Sequence, residues 1–109
     1  MGFVKYVGIL TEYQGESLSK SLFKEDGSEW GATIGGVYSL TNEDGDEIAT
    51  GNLVKSGDSL SLSFTIGKTE TATLEGKYLL LVSLTDTNDA EFSDVIAEYK
   101  ITYKNKKAT

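Results

Sequence analysis

The chain has no cysteine, no histidine and no proline, and all ten of its basic residues are lysine. Each absence removes a class of function. Without cysteine there is no disulfide framework, no thiolate metal site and no thiol nucleophile. Nothing then requires an oxidising compartment, which points to folding in a cytosol. Without histidine the chain lacks the side chain that titrates near neutrality, and imidazole zinc sites are excluded with it. Without arginine it lacks the rigid fork that grips carboxylate and phosphate in bidentate fashion. Serine is plentiful, but no Ser-x-x-Lys or Gly-x-Ser-x-Gly motif accompanies it, so no activated nucleophile is visible. The seventeen carboxylates are numerous enough to supply the pair that glycoside hydrolysis uses, but nearly all fall in turns or on polar strand faces, and small sandwiches rarely make the deep cleft that chemistry needs. The expectation is a protein that is not an enzyme and needs no cofactor.

Basic charge is also scarce. The 109 residues carry a net charge of −7, which repels nucleic acid and anionic membrane, and no basic stripe offsets it. The one local exception is Lys104-Asn105-Lys106-Lys107, read either as a solvated, flexible chain end over 104–109 or as a contact to an acidic neighbour. No apolar window is long enough for a membrane-spanning helix. Met1–Lys5 shows neither the basic start nor the apolar run of a signal peptide. Tyr6 stands where a myristoylation signal wants Ser or Thr.

The dominant positive signal is alternation with period two, the mark of half-buried strands. Leu60, Leu62, Phe64 and Ile66 alternate with Ser61, Ser63 and Thr65. Seven or eight strands follow, near Val4–Tyr13, Glu16–Lys24, Thr33–Thr41, Glu47–Lys55, Ser59–Ile66, Lys77–Thr85 and Val95–Tyr103. The sixth segment is apolar on both faces, with Leu80, Val82 and Leu84 on one side and Leu79 and Leu81 on the other. That marks it as central. No segment carries a useful 3.6-residue period. Asp44-Gly45 is a hairpin signal, and Asp26-Gly27, Gly35-Gly36 and Gly57-Asp58 mark further turns. One domain spans 1–109: an all-β, immunoglobulin-like antiparallel sandwich, with 1–13 as a strand able to dock or exchange.

Within that frame a few residues stand out. Leu74-Glu75-Gly76-Lys77-Tyr78 precedes the central strand, where immunoglobulin-like sandwiches place a tyrosine that bonds back to upstream main chain. Gly76 and Tyr78 are therefore the expected structural corner, with an ordinary core tyrosine as the alternative. Trp30, the only tryptophan, lies in a Gly/Ser/Asp-rich stretch. It reads either as an interface or sugar-stacking residue or as a core residue. Phe92 interrupts the acidic stretch Asp86–Asp94 and either plugs the open end of the sandwich or inserts into a partner. Tyr13 and Phe3 complete the candidate binding set. No metal is expected. Asp86, Asn88 and Asp89 are the residues a hard cation would choose, and Asn42–Glu47 reads as a solvated hairpin turn because the EF-hand spacing is absent.

From Gly15 onward the order of features resembles a phage immunoglobulin-like domain. The type occurs at the N-terminus of baseplate upper proteins and in small virion proteins. The likeness is carried by Gly15-Glu16-Ser17-Leu18, Phe23–Ser28, Val37-Tyr38-Ser39-Leu40, Asp44-Gly45, Ala49-Thr50-Gly51, Leu60–Ile66 and Thr73–Tyr78. The sequence departs from the pattern at Gly15-Glu16-Ser17, which lacks the usual Asp, and has no baseplate-sized extension after Lys107. The resemblance implies a stand-alone structural or assembly subunit of a bacteriophage particle, as a head decoration, neck, tail or baseplate accessory. It implies other virion proteins as partners, a homo-oligomer or symmetric assembly, and a location in the virion. A carbohydrate- or cell-surface-binding module, with Trp30, Tyr13 and Phe92 as a stacking platform, is the alternative. A third reading is a surface adhesion repeat.

Overall fold

Alternation becomes strand, and the strands form two facing sheets. The computed structural model describes residues 6–24 and 26–105. Among these the order is β1 (Tyr6–Tyr13), β2 (Leu18–Phe23), β3 (Ile34–Asn42), β4 (Glu47–Asn52), β5 (Val54–Lys55), β6 (Ser61–Ile66), a one-turn helix α1 (Lys68–Thr71), β7 (Gly76–Asp86) and β8 (Asp89–Lys104). One sheet runs β1-β8-β7-β3-β4 and the other β2-β6-β5. The pairings are antiparallel with one exception: β1 lies parallel to β8, with Tyr6 opposite Ala97 and Tyr13 opposite Lys104. The sandwich is therefore not purely antiparallel as expected. Alternation sets which face a strand buries, but it is silent on the direction of its neighbour.

The inward row of each strand is the core. Leu80, Val82 and Leu84 from β7 and Ala97, Tyr99, Ile101 and Tyr103 from β8 are buried against Leu62, Phe64 and Ile66 from β6 and Leu18 and Leu22 from β2. Each such aliphatic side chain contributes about 1.5–3 kcal/mol. Tyr38 stacks on Phe64 across the sandwich, with ring centroids 4.8 Å apart. Gly8 suits β1 at this point, because a Cβ there would stand 3.0 Å from the Tyr99 ring, a tight contact that the ring would have to shift to relieve.

The expected fourth strand divides in two. Leu53 interrupts it, its N–H donating 2.8 Å to the Gly36 carbonyl. Beyond it the chain leaves β4 in the five-stranded sheet and enters β5 in the other. The acidic stretch after β7 is not a long loop. β7 and β8 form one hairpin whose register closes with Asp86 opposite Asp89, leaving Thr87 and Asn88 as the turn. Lys104 belongs to β8, so the segment from 104 begins as strand. Phe3, Lys106 and Lys107 lie outside the described residues. Helix α1 escapes a periodicity search because four residues hold a single turn. It is fastened by the buried Thr71, whose hydroxyl donates 3.0 Å to the Glu16 carbonyl.

Candidate functional site

The tyrosine corner is formed. The Glu75 N–H donates 3.0 Å to the Tyr78 hydroxyl, which donates 3.2 Å to the Glu75 carbonyl. Gly76 between them has φ +103°, a conformation that favours glycine. Tyr78 also meets Tyr103 edge to face, with centroids 5.6 Å apart. Tyr78→Phe removes both hydrogen bonds and keeps the ring. It is expected to lower the unfolding free energy by about 1–2 kcal/mol, read by urea denaturation, without changing oligomeric state.

The other sequence candidates separate. Trp30 is 3% exposed. Its indole N–H donates 3.3 Å to the Leu22 carbonyl, and its amide donates 2.8 Å to the Ser59 carbonyl. It is a core residue that closes one end of the sandwich and offers no face to a ligand. Phe92 lies in β8, half-buried against the core rather than in a loop. Tyr13 is 42% exposed but ends β1. The Tyr6 hydroxyl at the start of β1 bonds Phe23, the neighbour of Leu22, at 3.2 Å. Seven residues of strand, roughly 23 Å, therefore lie between the Trp30 end and Tyr13. A stacking platform of Trp30, Tyr13 and Phe92 does not exist in this arrangement.

The acidic turns are occupied by their own main chain. Asn42 Oδ1 accepts from the amides of Asp44 and Asp46, each at 2.9 Å. Asp86 Oδ1 accepts from Asn88 at 2.9 Å and Asp89 Oδ1 from Glu91 at 3.1 Å. Among the described residues no three acidic side chains gather as a cation site would need. Asp26 and Asp58 are held below the usual carboxylate range. The Ser28 hydroxyl and then its amide do this for Asp26, and the Ser56 hydroxyl and then the Leu60 amide for Asp58.

What the strands do assemble is an apolar outer face on the five-stranded sheet. The outward row of β7 holds Leu79 and Leu81, both half-buried although no layer among the described residues covers them. Registers extend them into cross-sheet rows. Val7, Glu98, Leu81, Ser39 and Thr50 form one row. Ile9, Lys100, Leu79, Thr41 and Glu47 form the next, and Val95, Ser83, Val37 and Asn52 a third. Val7 is 73% and Ile9 83% exposed, and Val37 and Val95 are exposed as well. Between Ile9, Leu79, Lys77 and Lys100 the face dips into an open hollow of about 470 Å³. Six aliphatic side chains on the solvent side of one sheet, interspersed with Lys77, Glu98 and Lys100, form a surface suited to a protein partner. The sequence signal for it was the two-faced character of Leu79–Leu84. Centrality explains the Leu80 side of that strand and leaves Leu79 and Leu81 over.

No family model matches the chain, and no curated protein matches its sequence. Solved structures do share its shape. Superposition on CopC from Methylosinus trichosporium OB3b gives a TM-score of 0.56 at 12% identity, covering 91% of this chain and 88% of that one. The fibronectin(III)-like modules of Clostridium thermocellum CbhA give 0.50 at 15% identity, covering 94% and 92%. A family 123 glycoside hydrolase from Clostridium perfringens gives 0.54 at 15% identity, where this chain spans 23% of the longer one. At these identities the likeness concerns the fold alone: the chain is an immunoglobulin/fibronectin(III)-like β-sandwich.

Proposed function

We propose that this domain is a non-enzymatic assembly module that docks protein partners through the outer face of its five-stranded sheet. The observation that carries the reading is the set of uncovered aliphatic residues Val7, Ile9, Val37, Leu79, Leu81 and Val95 on one continuous, hydrogen-bonded surface. A sheet face is rigid, so binding there costs little ordering entropy. The finer assignment, a structural subunit of a bacteriophage particle, is supported by the order of features from Gly15 to Tyr78. Co-sedimentation with purified phage heads and tails tests it. Wild-type domain is expected to pellet with the particles. Leu81→Lys, which sets a lysine beside Glu98 in the middle of the face, is expected to fold and stay in the supernatant. Wild-type protein that never pellets, or a variant that pellets equally well, contradicts the proposal.

A further inference from the structure

Among the described residues the edge of β1 is open in a way the other edges are not. Gln14 N–H donates 3.1 Å to the Lys104 carbonyl, while Tyr13 sits opposite Lys104. In a parallel ladder this phase turns the main-chain groups of Gly8, Leu10 and Glu12 toward β8. Those of Val7, Ile9 and Thr11 then point to the free edge. Tyr13 agrees with that phase: its carbonyl turns away from β8 and accepts from Glu16 at 3.3 Å. The other three edge strands carry protection. β4 is broken by a bulge at Ile48, which lies unpaired opposite Leu40 and Thr41 of β3, β5 is two residues long, and β2 is fastened at Phe23 by the Tyr6 hydroxyl. β1 runs eight residues in unbroken register, and its outward row of Val7, Ile9, Thr11 and Tyr13 has neither proline nor charge. Natural sheets normally blunt such an edge.

We infer that β1 pairs antiparallel with β1 of a second copy, joining two five-stranded sheets into one of ten strands. Another extended strand would satisfy the donors and acceptors of Val7, Ile9 and Thr11 together, where water otherwise does so. The row is compatible with its own reverse. A two-fold axis at Leu10 sets Val7 opposite Tyr13 of the second copy and Ile9 opposite Thr11, so no like charges meet. Reciprocal pairing of this kind is how a two-fold interface is built. Charge does not oppose the joint. The adjacent β8 row holds Glu98, Lys100, Thr102 and Lys104, and Glu98 of one copy shares a cross-sheet row with Lys104 of the other, three strand spacings or roughly 14 Å away, too far to drive the pairing. The inference deepens the assembly reading and rests on it for its role; the pairing itself stands on the backbone of β1.

Sedimentation velocity of the whole chain from micromolar to millimolar concentration tests it. The 11.8 kDa chain is expected to shift to twice that mass as concentration rises. Ile9→Pro removes an N–H that has no partner within its own sheet, so it is expected to keep the wild-type circular dichroism and remain monomeric throughout. Ile9→Lys, which leaves the backbone intact, is expected to weaken the dimer in the same direction should proline disturb the strand. Leu81→Lys, away from the edge, is expected to dimerise as the wild type does. A wild-type monomer at millimolar concentration overturns the pairing, and so does a dimer indifferent to both changes at Ile9. A monomer that still pellets with phage particles defeats the pairing alone. A dimer that ignores particles defeats the virion reading alone.

Discussion

Trp30→Ala is expected to destabilise the domain by about 3–5 kcal/mol, the range for removing a buried aromatic ring. The indole is 3% exposed and bonds the Leu22 carbonyl. Its loss opens a cavity between β2 and the turn before β6 and leaves that carbonyl without its indole donor. Because the protein has no other tryptophan, urea denaturation followed by circular dichroism is the appropriate readout. The expected result is a large drop in the midpoint at unchanged slope. A variant that unfolds with the wild type would show that the ring is not structural and would return it to the list of binding residues.

Trp30 shows where reading a sequence stops. Its neighbours Ser28, Glu29 and Gly31 are polar or small, so composition puts it in a loop and leaves open whether the ring is exposed or in the core. The loop folds its one large ring over the end of the core, where composition cannot follow. Phe92 misleads for a related reason. Asp86, Asn88, Asp89 and Asp94 read as a loop, but the segment is strand on both sides of a tight turn, with Asp86 opposite Asp89 and Asp94 opposite Leu84, because main-chain pairing in a hairpin does not need apolar side chains. Period-two alternation identified the β strands because it reports burial directly, and the Gly76–Tyr78 corner was legible because its chemistry is local. The parallel pairing of β1 and the open edge it creates are long-range facts, with Tyr6 and its partner Ala97 standing 91 positions apart in the chain. No local pattern encodes them.

Stability is expected to be flat across neutral pH and to fall steeply above pH 10. The chain has no histidine, so nothing with an ordinary histidine pKa titrates near neutrality. Burial, then the neighbouring Glu12 and Tyr78, push the Tyr103 phenol up to about 12. Burial first, with Glu70 for Tyr38 and Tyr6 for Tyr99 second, raises those two phenols as well. An unfolded phenol ionises near 10. Between there and about 12 the unfolded chain binds fewer protons than the folded one, so stability present below pH 10 is lost as pH rises. For Tyr103 alone the loss is on the order of 2–3 kcal/mol. The same residue allows a second reading of the effect. Its hydroxyl is buried with no hydrogen-bond partner among the described residues, so Tyr103→Phe removes an unsatisfied polar group. That variant is expected to gain about 1 kcal/mol at pH 7 and to lose less stability between pH 10 and 12. Urea titrations at several pH values check both. A wild-type profile that stays level to pH 12, or a Phe variant less stable than the parent at pH 7, contradicts this account of the Tyr103 site.

The surface and the edge belong to one claim: the working part of this domain is its five-stranded sheet, and the loops at its ends only close the core. Amide hydrogen exchange, compared between dilute and concentrated protein and again with particle-bound protein, tests that claim most directly. Concentration is expected to protect Val7, Ile9 and Thr11 while leaving Gly8 and Leu10, already bonded to β8, unchanged. Particle binding is expected to slow exchange along β7 and β8 around Leu81 and Glu98. Protection confined to the Asp26–Thr33 loop and the Thr87–Asn88 turn, with β1 and the outer face unaltered, would contradict it.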